Sequence, residues 1–178
     1  KHMFQKETYQ QRRNRLRSQV KSGLILLLGN NESPMNYADN TYHFRQDSSF
    51  IYFFGIDFPG LVGIIDIDDG TETIFGNDYT IDDIVWMGSQ PTIRERTILS
   101  GIENTGSIAD AKALIQKAQS QNRTIHFLPP YRGDQTLLLL NWCSIDPQQT
   151  VQKASVELIK AVVEQRNIKT EEELLEID

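Results

Sequence analysis

Arg45, Asp47 and Asp57 bracket a dense aromatic run, Phe50-Ile51-Tyr52-Phe53-Phe54, and are the residues whose types and spacing first invite a chemical reading. A run of that composition reads as a buried strand that ends at Gly55 and is turned by Pro59-Gly60. An arginine beside a buried strand needs a carboxylate partner, and Asp47 and Asp57 are both near in sequence. These three residues therefore predict an ion-pair corner at the strand mouth, Arg45 with Asp47 or Asp57, in preference to a catalytic group.

Other candidates are thin. The histidines, His2, His43 and His126, are widely spread, and no His-Glu-x-x-His or paired Cys-x-x-Cys is present, so the sequence offers no metal-ligand set. His126 falls within a predicted strand and reads as a packing residue; His43, beside Arg45, is more ambiguous. Cys143 would need a histidine base to act as a nucleophile, and its neighbours Trp142 and Ile145 point instead to a buried thiol. Ile64-Ile65-Asp66-Ile67-Asp68-Asp69-Gly70-Thr71 approaches an Asp-x-Asp-Gly-Thr phosphatase motif, but the register fails. Aligning Asp69-Gly70-Thr71 puts Ile67 at the nucleophile position, and aligning Asp66 and Asp68 puts Asp69 where the glycine belongs. Solvated acids at a hairpin edge are the simpler account, ahead of a carboxylate pair holding Mg²⁺. Trp86, before Met87-Gly88, is either a core residue or an aromatic exposed for recognition; residue type alone favours the core.

The elements that must position these residues follow from periodicity and punctuation. Residues 7–21 read as a helix stopped by Gly23, and Leu24–Leu28 as a strand buried on both faces. Residues 29–41 are rich in Asn, Ser and Pro and read as a long loop. Residues 61–68 and 72–75 are strands joined by the hairpin signal Asp69-Gly70. Asp110 is placed to cap a helix running to Ser120, followed by a strand over 124–128. Asp134 opens a leucine-rich helix through Leu140, and Asp146-Pro147 opens a last long helix carrying Val151, Ala154, Leu158, Val162 and Val163 at helical spacing. Thr170–Glu173 is a capping box that begins one more helix, followed by Leu174, Leu175 and Ile177. A helix this short is marginal alone, so the chain reads as a piece of a longer protein. Hairpins followed by alternating helices and strands predict an α/β fold with a mixed sheet flanked by helices.

At 178 residues the chain fits one domain. A net charge of −6 argues against a nucleic-acid reader, so the basic group Arg12, Arg13, Arg15, Arg17 and Lys21 reads as a solvated or protein-docking face. No apolar run is long enough to span a membrane, the N-terminal residues carry no signal-peptide core, and the lone Cys143 suits a reducing cytoplasm.

Phe44-Arg45-Gln46-Asp47-Ser48, the aromatics, Gly55, Pro59-Gly60, Val62-x-x-Ile65-Asp66 and Trp86-Met87-Gly88 together resemble the N-terminal domain of Xaa-Pro peptidases, the group of aminopeptidase P and prolidase. The likeness is strong over 42–88, weaker to Pro130, and returns at Arg166–Leu174, which resembles the junction into the catalytic domain. It implies a creatinase/aminopeptidase-P-type N-terminal domain over residues 1–165 and the start of a linker over 166–178. The implied fold is ribonuclease-H-like, with a mixed sheet of about six strands. The resemblance further implies a following "pita-bread" catalytic domain. That domain would hold two divalent metals, usually manganese, and cleave the bond before proline, which ordinary peptidases handle poorly. No catalytic or metal residue maps onto this chain. Its implied part is non-catalytic: gating proline-containing peptides and building a homodimer or homotetramer, with Trp86 matching a tryptophan near the pocket of a neighbouring subunit. Prolidase remains the alternative within the family, and a stand-alone binding or scaffold module the alternative outside it.

Overall fold

Five strands form one mixed sheet in the order β6-β5-β4-β1-β7: β1 (Leu24–Leu28), β4 (Val62–Asp66), β5 (Thr71–Phe75), β6 (Asn104–Gly106) and β7 (Ile125–Phe127). A separate two-stranded ribbon joins β2 (Pro34–Tyr37) to β3 (Asn40–Thr41). The computed structural model describes residues 3–32 and 43–167 in full, and the ribbon strands by their backbone. β4 runs antiparallel to β1 and β5, while β1 pairs parallel with β7 and β5 with β6, so four strands end at one edge. The Asp69-Gly70 hairpin joins β4 and β5 as its residues predict, with Gly70 at φ +77°.

Leu24 and Leu26 face one side of the sheet and Ile25 and Leu27 the other, and all four are buried. The first side packs against α5 (Ile108–Ser120) and α6 (Gly133–Cys143) through Ala111, Ile115, Leu139 and Trp142. The second side packs against α1 (Lys6–Gln19), α2 (Ser48–Phe54) and α8 (Val156–Arg166) through Leu16, Phe50, Phe53 and Leu158. The result is a helix–sheet–helix sandwich with β1 and β4 at its centre, which explains why β1 is apolar throughout.

Four expectations need correcting. The aromatic run is a helix, α2, and not a strand. Asp47 caps it by accepting from the Phe50 backbone N–H at 2.9 Å, and Gly55, at φ +69°, closes it by donating to the Ile51 carbonyl. Residues 49, 50, 53 and 54 are the buried ones, a helical spacing. A Cβ at Gly55 would sit 2.2 Å from the Tyr9 ring, so the cap needs glycine for both conformation and space. The sheet consequently has five strands among the described residues instead of six. One of these, β6, is the polar trio Asn-Thr-Gly, held by its pairing with β5 and without any apolar signal of its own.

The last long helix is also interrupted. Asp146 caps a 3₁₀ turn over Pro147–Gln149, α7 (Thr150–Lys153) follows, and Ala154 is extended. Ser155 then caps α8, accepting from the Leu158 N–H at 3.1 Å. Ser107, not Asp110, caps α5; Asp110 supplies the returning carboxylate of a capping box. The predicted capping box at Thr170–Glu173 and the apolar residues after it lie outside the described residues.

Candidate functional site

The Arg45–Asp47 cluster is organised by the residue between them. Gln46 is buried; its Oε1 accepts from the backbone N–H groups of Asn30 (2.8 Å) and Asp47 (3.0 Å), and its Nε2 donates to the carbonyls of Ile56 (3.0 Å) and Phe58 (2.9 Å). Two acceptor and two donor positions are thus all used, and three chain segments are tied at one point. Arg45 itself is exposed and makes no ion pair among the described residues, so the predicted corner with Asp47 or Asp57 does not form. Asp47 is occupied as the cap of α2 and accepts from the Tyr131 hydroxyl at 2.9 Å; Asp57 lies exposed elsewhere. A saturated glutamine satisfies this buried junction without charge, so it asks nothing of the arginine.

The basic group at α1 is solvated only in part: Arg15 and Lys21 are exposed, but Arg12 and Arg13 are buried. Arg12 and Arg13 lie on its buried stripe with Tyr9 and Leu16. The Arg13 guanidinium, with no exposed side-chain surface, donates to Phe53 O (2.9 Å), Ser100 Oγ (2.9 Å), Ser100 O (2.7 Å) and Glu72 Oε1 (3.1 Å). Burial lowers its pKa, and Glu72 acts against that shift. Arg12 donates to Tyr52 O at 2.8 Å and lies 4.0 Å over the Tyr52 ring. Both are structural cations at polar seams between helices.

The hairpin acids are likewise engaged. Arg123 bridges Asp66 (2.5 Å) and Asp68 (2.8 Å), and Asp68 accepts from Gly23 N–H at 3.1 Å. The Gly23 contact, and then Arg123, hold the Asp68 carboxyl below its ordinary range. His126 is buried between Ser22 and Ser155. Its Nε2 faces the Ser22 carbonyl at 2.8 Å and must donate there, leaving Nδ1 to accept from the Ser155 hydroxyl at 2.7 Å when the ring is neutral. Cys143 is buried at the end of α6, and burial pushes its thiol up to about 11, which suits packing and not nucleophilic attack. Among the described residues no group of three or more His, Cys, Asp or Glu side chains could hold a metal ion.

What remains uncommitted is α3 (Ile81–Met87). A Thr80–Asp83 capping box starts it and the Gly88 N–H closes it on the Ile84 carbonyl, yet none of its residues is buried. Ile81, Ile84, Val85, Trp86 and Met87 are all exposed, Trp86 at 88 %. Seven residues do not make a helix stable in water by propensity alone, and five large apolar side chains in solvent make an exposed apolar patch. Trp86 is therefore placed outside its own domain's core, against the simpler expectation from residue type. Separately, a cleft of about 430 Å³ opens where β1 ends, floored by Leu28, Phe58 and Leu61 and rimmed by Asn77, Glu32 and Asp134. Among the described residues no nucleophile–base pair lines it.

A model of the aminopeptidase P N-terminal domain matches residues 9–126, about two-thirds of the chain. The chain belongs to that family. Human Xaa-Pro dipeptidase is 32% identical over 94 residues, 51% of this chain and 19% of that protein. A protein of Sordaria macrospora, described as a probable Xaa-Pro aminopeptidase, is 33% identical over 118 residues, 65% of this chain and 19% of that protein. The chain thus spans about a fifth of the length of these relatives. The low-pH form of aminopeptidase P from E. coli superposes with a TM-score of 0.73 at 20% identity, over 98% of this chain and 41% of that one. Aminopeptidase PepP of Pseudomonas aeruginosa superposes with a TM-score of 0.66 at 20% identity, over 86% and 35%. At such identity these two show a shared fold. The five-stranded α/β sandwich is thus that of an aminopeptidase P N-terminal domain.

Proposed function

We propose that this chain is the non-catalytic N-terminal part of an Xaa-Pro peptidase, an aminopeptidase P or a prolidase, that gates substrate and builds the oligomer. The observation that carries the reading is α3: a family member that holds Trp86 and four aliphatic side chains in solvent is shaped to meet something beyond its own fold. In this reading residues 1–165 are the domain, residues 166–178 begin the linker, and the sheet is of ribonuclease-H type. The whole protein then works in the cytoplasm as a homodimer or homotetramer. Trp86 borders the pocket of a neighbouring subunit, where a flat aromatic wall packs on proline or a flanking apolar residue and keeps the peptide in line.

The described residues do not supply ligands for the two divalent metals, usually manganese, that the family resemblance implies. Those ligands are assigned to the following catalytic domain, and no step of the reaction is attributed to this chain. Its own residues position: the capping box and Gly88 hold α3, and Gln46 and Arg13 fix the body from which α3 projects. The test is Trp86→Ala in the full-length protein, which lowers kcat/KM for Xaa-Pro peptides while leaving metal content unchanged. Unaltered kcat/KM across short and long substrates would sink the gating role.

A further inference from the structure

One small pocket lies apart from α3 and from the cleft at the end of β1. It encloses about 250 Å³ between α1, α2 and α4 (Ile93–Ile98), with an apolar wall from Met3, Ile51, Ile56 and Leu99. Two opposite charges share this lining, Arg96 and Asp57, and they do not pair with each other. The Arg96 guanidinium lies 3.8 Å over the Phe58 ring, and that ring meets Tyr79 edge-on at 5.9 Å, so the cation is held by a stack. Its Nε is buried and accepted by nothing, and the guanidinium makes no hydrogen bond or ion pair with any described residue. The Arg12 Nε is likewise buried without an acceptor, but Arg12 also donates to the Tyr52 carbonyl and Arg13 has four acceptors, whereas Arg96 is half-buried and its terminal amino groups, the ones a ligand reaches, have none among the described residues. A fixed fork of donors without an acceptor, beside an apolar wall, fits a carboxylate.

We infer that this pocket binds a free apolar α-amino acid. The carboxylate meets Arg96, the ammonium meets Asp57, and the side chain packs on Ile51, Ile56 and Leu99. The volume falls below the roughly 300–1,000 Å³ of clefts that take drug-sized ligands, which suits one amino acid and not a peptide. Asp57 and Gly55 sit directly after α2, so occupancy is coupled to the junction that Gln46 ties through the Ile56 and Phe58 carbonyls. Xaa-Pro cleavage releases a molecule of this class, so the pocket would read product; binding itself is independent of the peptidase assignment and is measured on this chain alone.

The experiment is a titration of the 178-residue chain with L-leucine, followed by amide chemical shifts. Saturable shifts confined to Gly55–Asp57 and Arg96–Leu99 are expected, with affinity near 1 mM. Leucinamide, which lacks the carboxylate, and N-acetyl-leucine, which lacks the ammonium, should each bind about tenfold more weakly or worse, and Arg96→Gln and Asp57→Asn should reproduce those losses in turn. The analogues leave the protein unaltered, so the result stands even where a variant folds poorly. No saturable shift up to about 10 mM overturns the proposal. Acetate binding as tightly as leucine overturns it as well, since that shows an anion site without the apolar and ammonium contacts.

Discussion

Replacing Arg13 by methionine isolates what a buried cation does at the seam of α1, α2 and the β5 hairpin. Methionine keeps most of the aliphatic volume and removes the guanidinium. The carbonyls of Phe53 and Ser100, the Ser100 hydroxyl and Glu72 Oε1 then lose their donor together. Glu72 keeps Arg17 at 3.4 Å, but breaking a buried pair typically costs about 3–5 kcal/mol, and the three other lost hydrogen bonds to a charged group at about 1.5 kcal/mol each give a similar figure. For a domain of this size that is a fall in Tm of roughly 6–20 °C, at about 2–4 °C per kcal/mol. Scanning calorimetry on the purified chain, with exposed Arg15→Met as control, measures it. A double variant, Arg13→Met with Glu72→Met, should regain part of the loss, because the Glu72 carboxylate, left with only the half-exposed Arg17 at 3.4 Å, is gone. A single variant melting within about 2 °C of the parent would refute the assignment of Arg13 as a structural cation.

Trp86→Ala in the isolated chain should change stability by less than about 0.5 kcal/mol, whereas Trp142→Ala, in the core, should cost about 3–5 kcal/mol; urea midpoints separate the two, and a large loss at Trp86 would place it in packing after all. Gln46→Leu should destabilise the chain by about 2–4 kcal/mol, since buried Asn30 N–H, Asp47 N–H and two carbonyls lose their partners, while Arg45→Met should be nearly neutral. Asp68 has a folded pKa below its ordinary value, so its contribution is complete above about pH 4 and fades as pH falls through the depressed value. Asp68→Asn should therefore lower the urea midpoint at pH 7 and narrow its gap from the parent toward pH 3; an equal gap at both pH values would sink that linkage. The purified 178-residue chain, given Mn²⁺, should cleave no Xaa-Pro peptide, and chelator-sensitive cleavage by clean protein would overturn its non-catalytic role.

Residues whose environment is set by nearby sequence were legible. The β1 run and the Asp69-Gly70 hairpin carry their own signals, and both stand where those signals put them. Phe50–Phe54 was harder because five apolar residues serve a strand or a buried helix equally, and only the flanks decide. Those flanks were present: Asp47 three residues before Phe50 is a helix cap, and Gly55 directly after Phe54 is a helix stop. β6 could not be found, since its trio of polar residues is a strand only by virtue of β5 beside it.

The same division runs through the polar sites. Arg45 lies beside an aromatic run, but sequence proximity says nothing about which side chain turns inward; the uncharged Gln46 does, and Arg45 stays in water. Arg12 and Arg13 read as surface residues because arginine usually is one, yet their spacing from Tyr9 and Leu16 is that of a buried helix stripe. That spacing was the available signal. Their acceptors, Tyr52, Phe53, Glu72 and Ser100, lie 40 to 87 residues away and come together only in the fold. Arg96 carries no such pattern at all. Its distinction is a guanidinium stacked on Phe58 with no acceptor among the described residues, a property of three-dimensional placement that no one-dimensional spacing encodes.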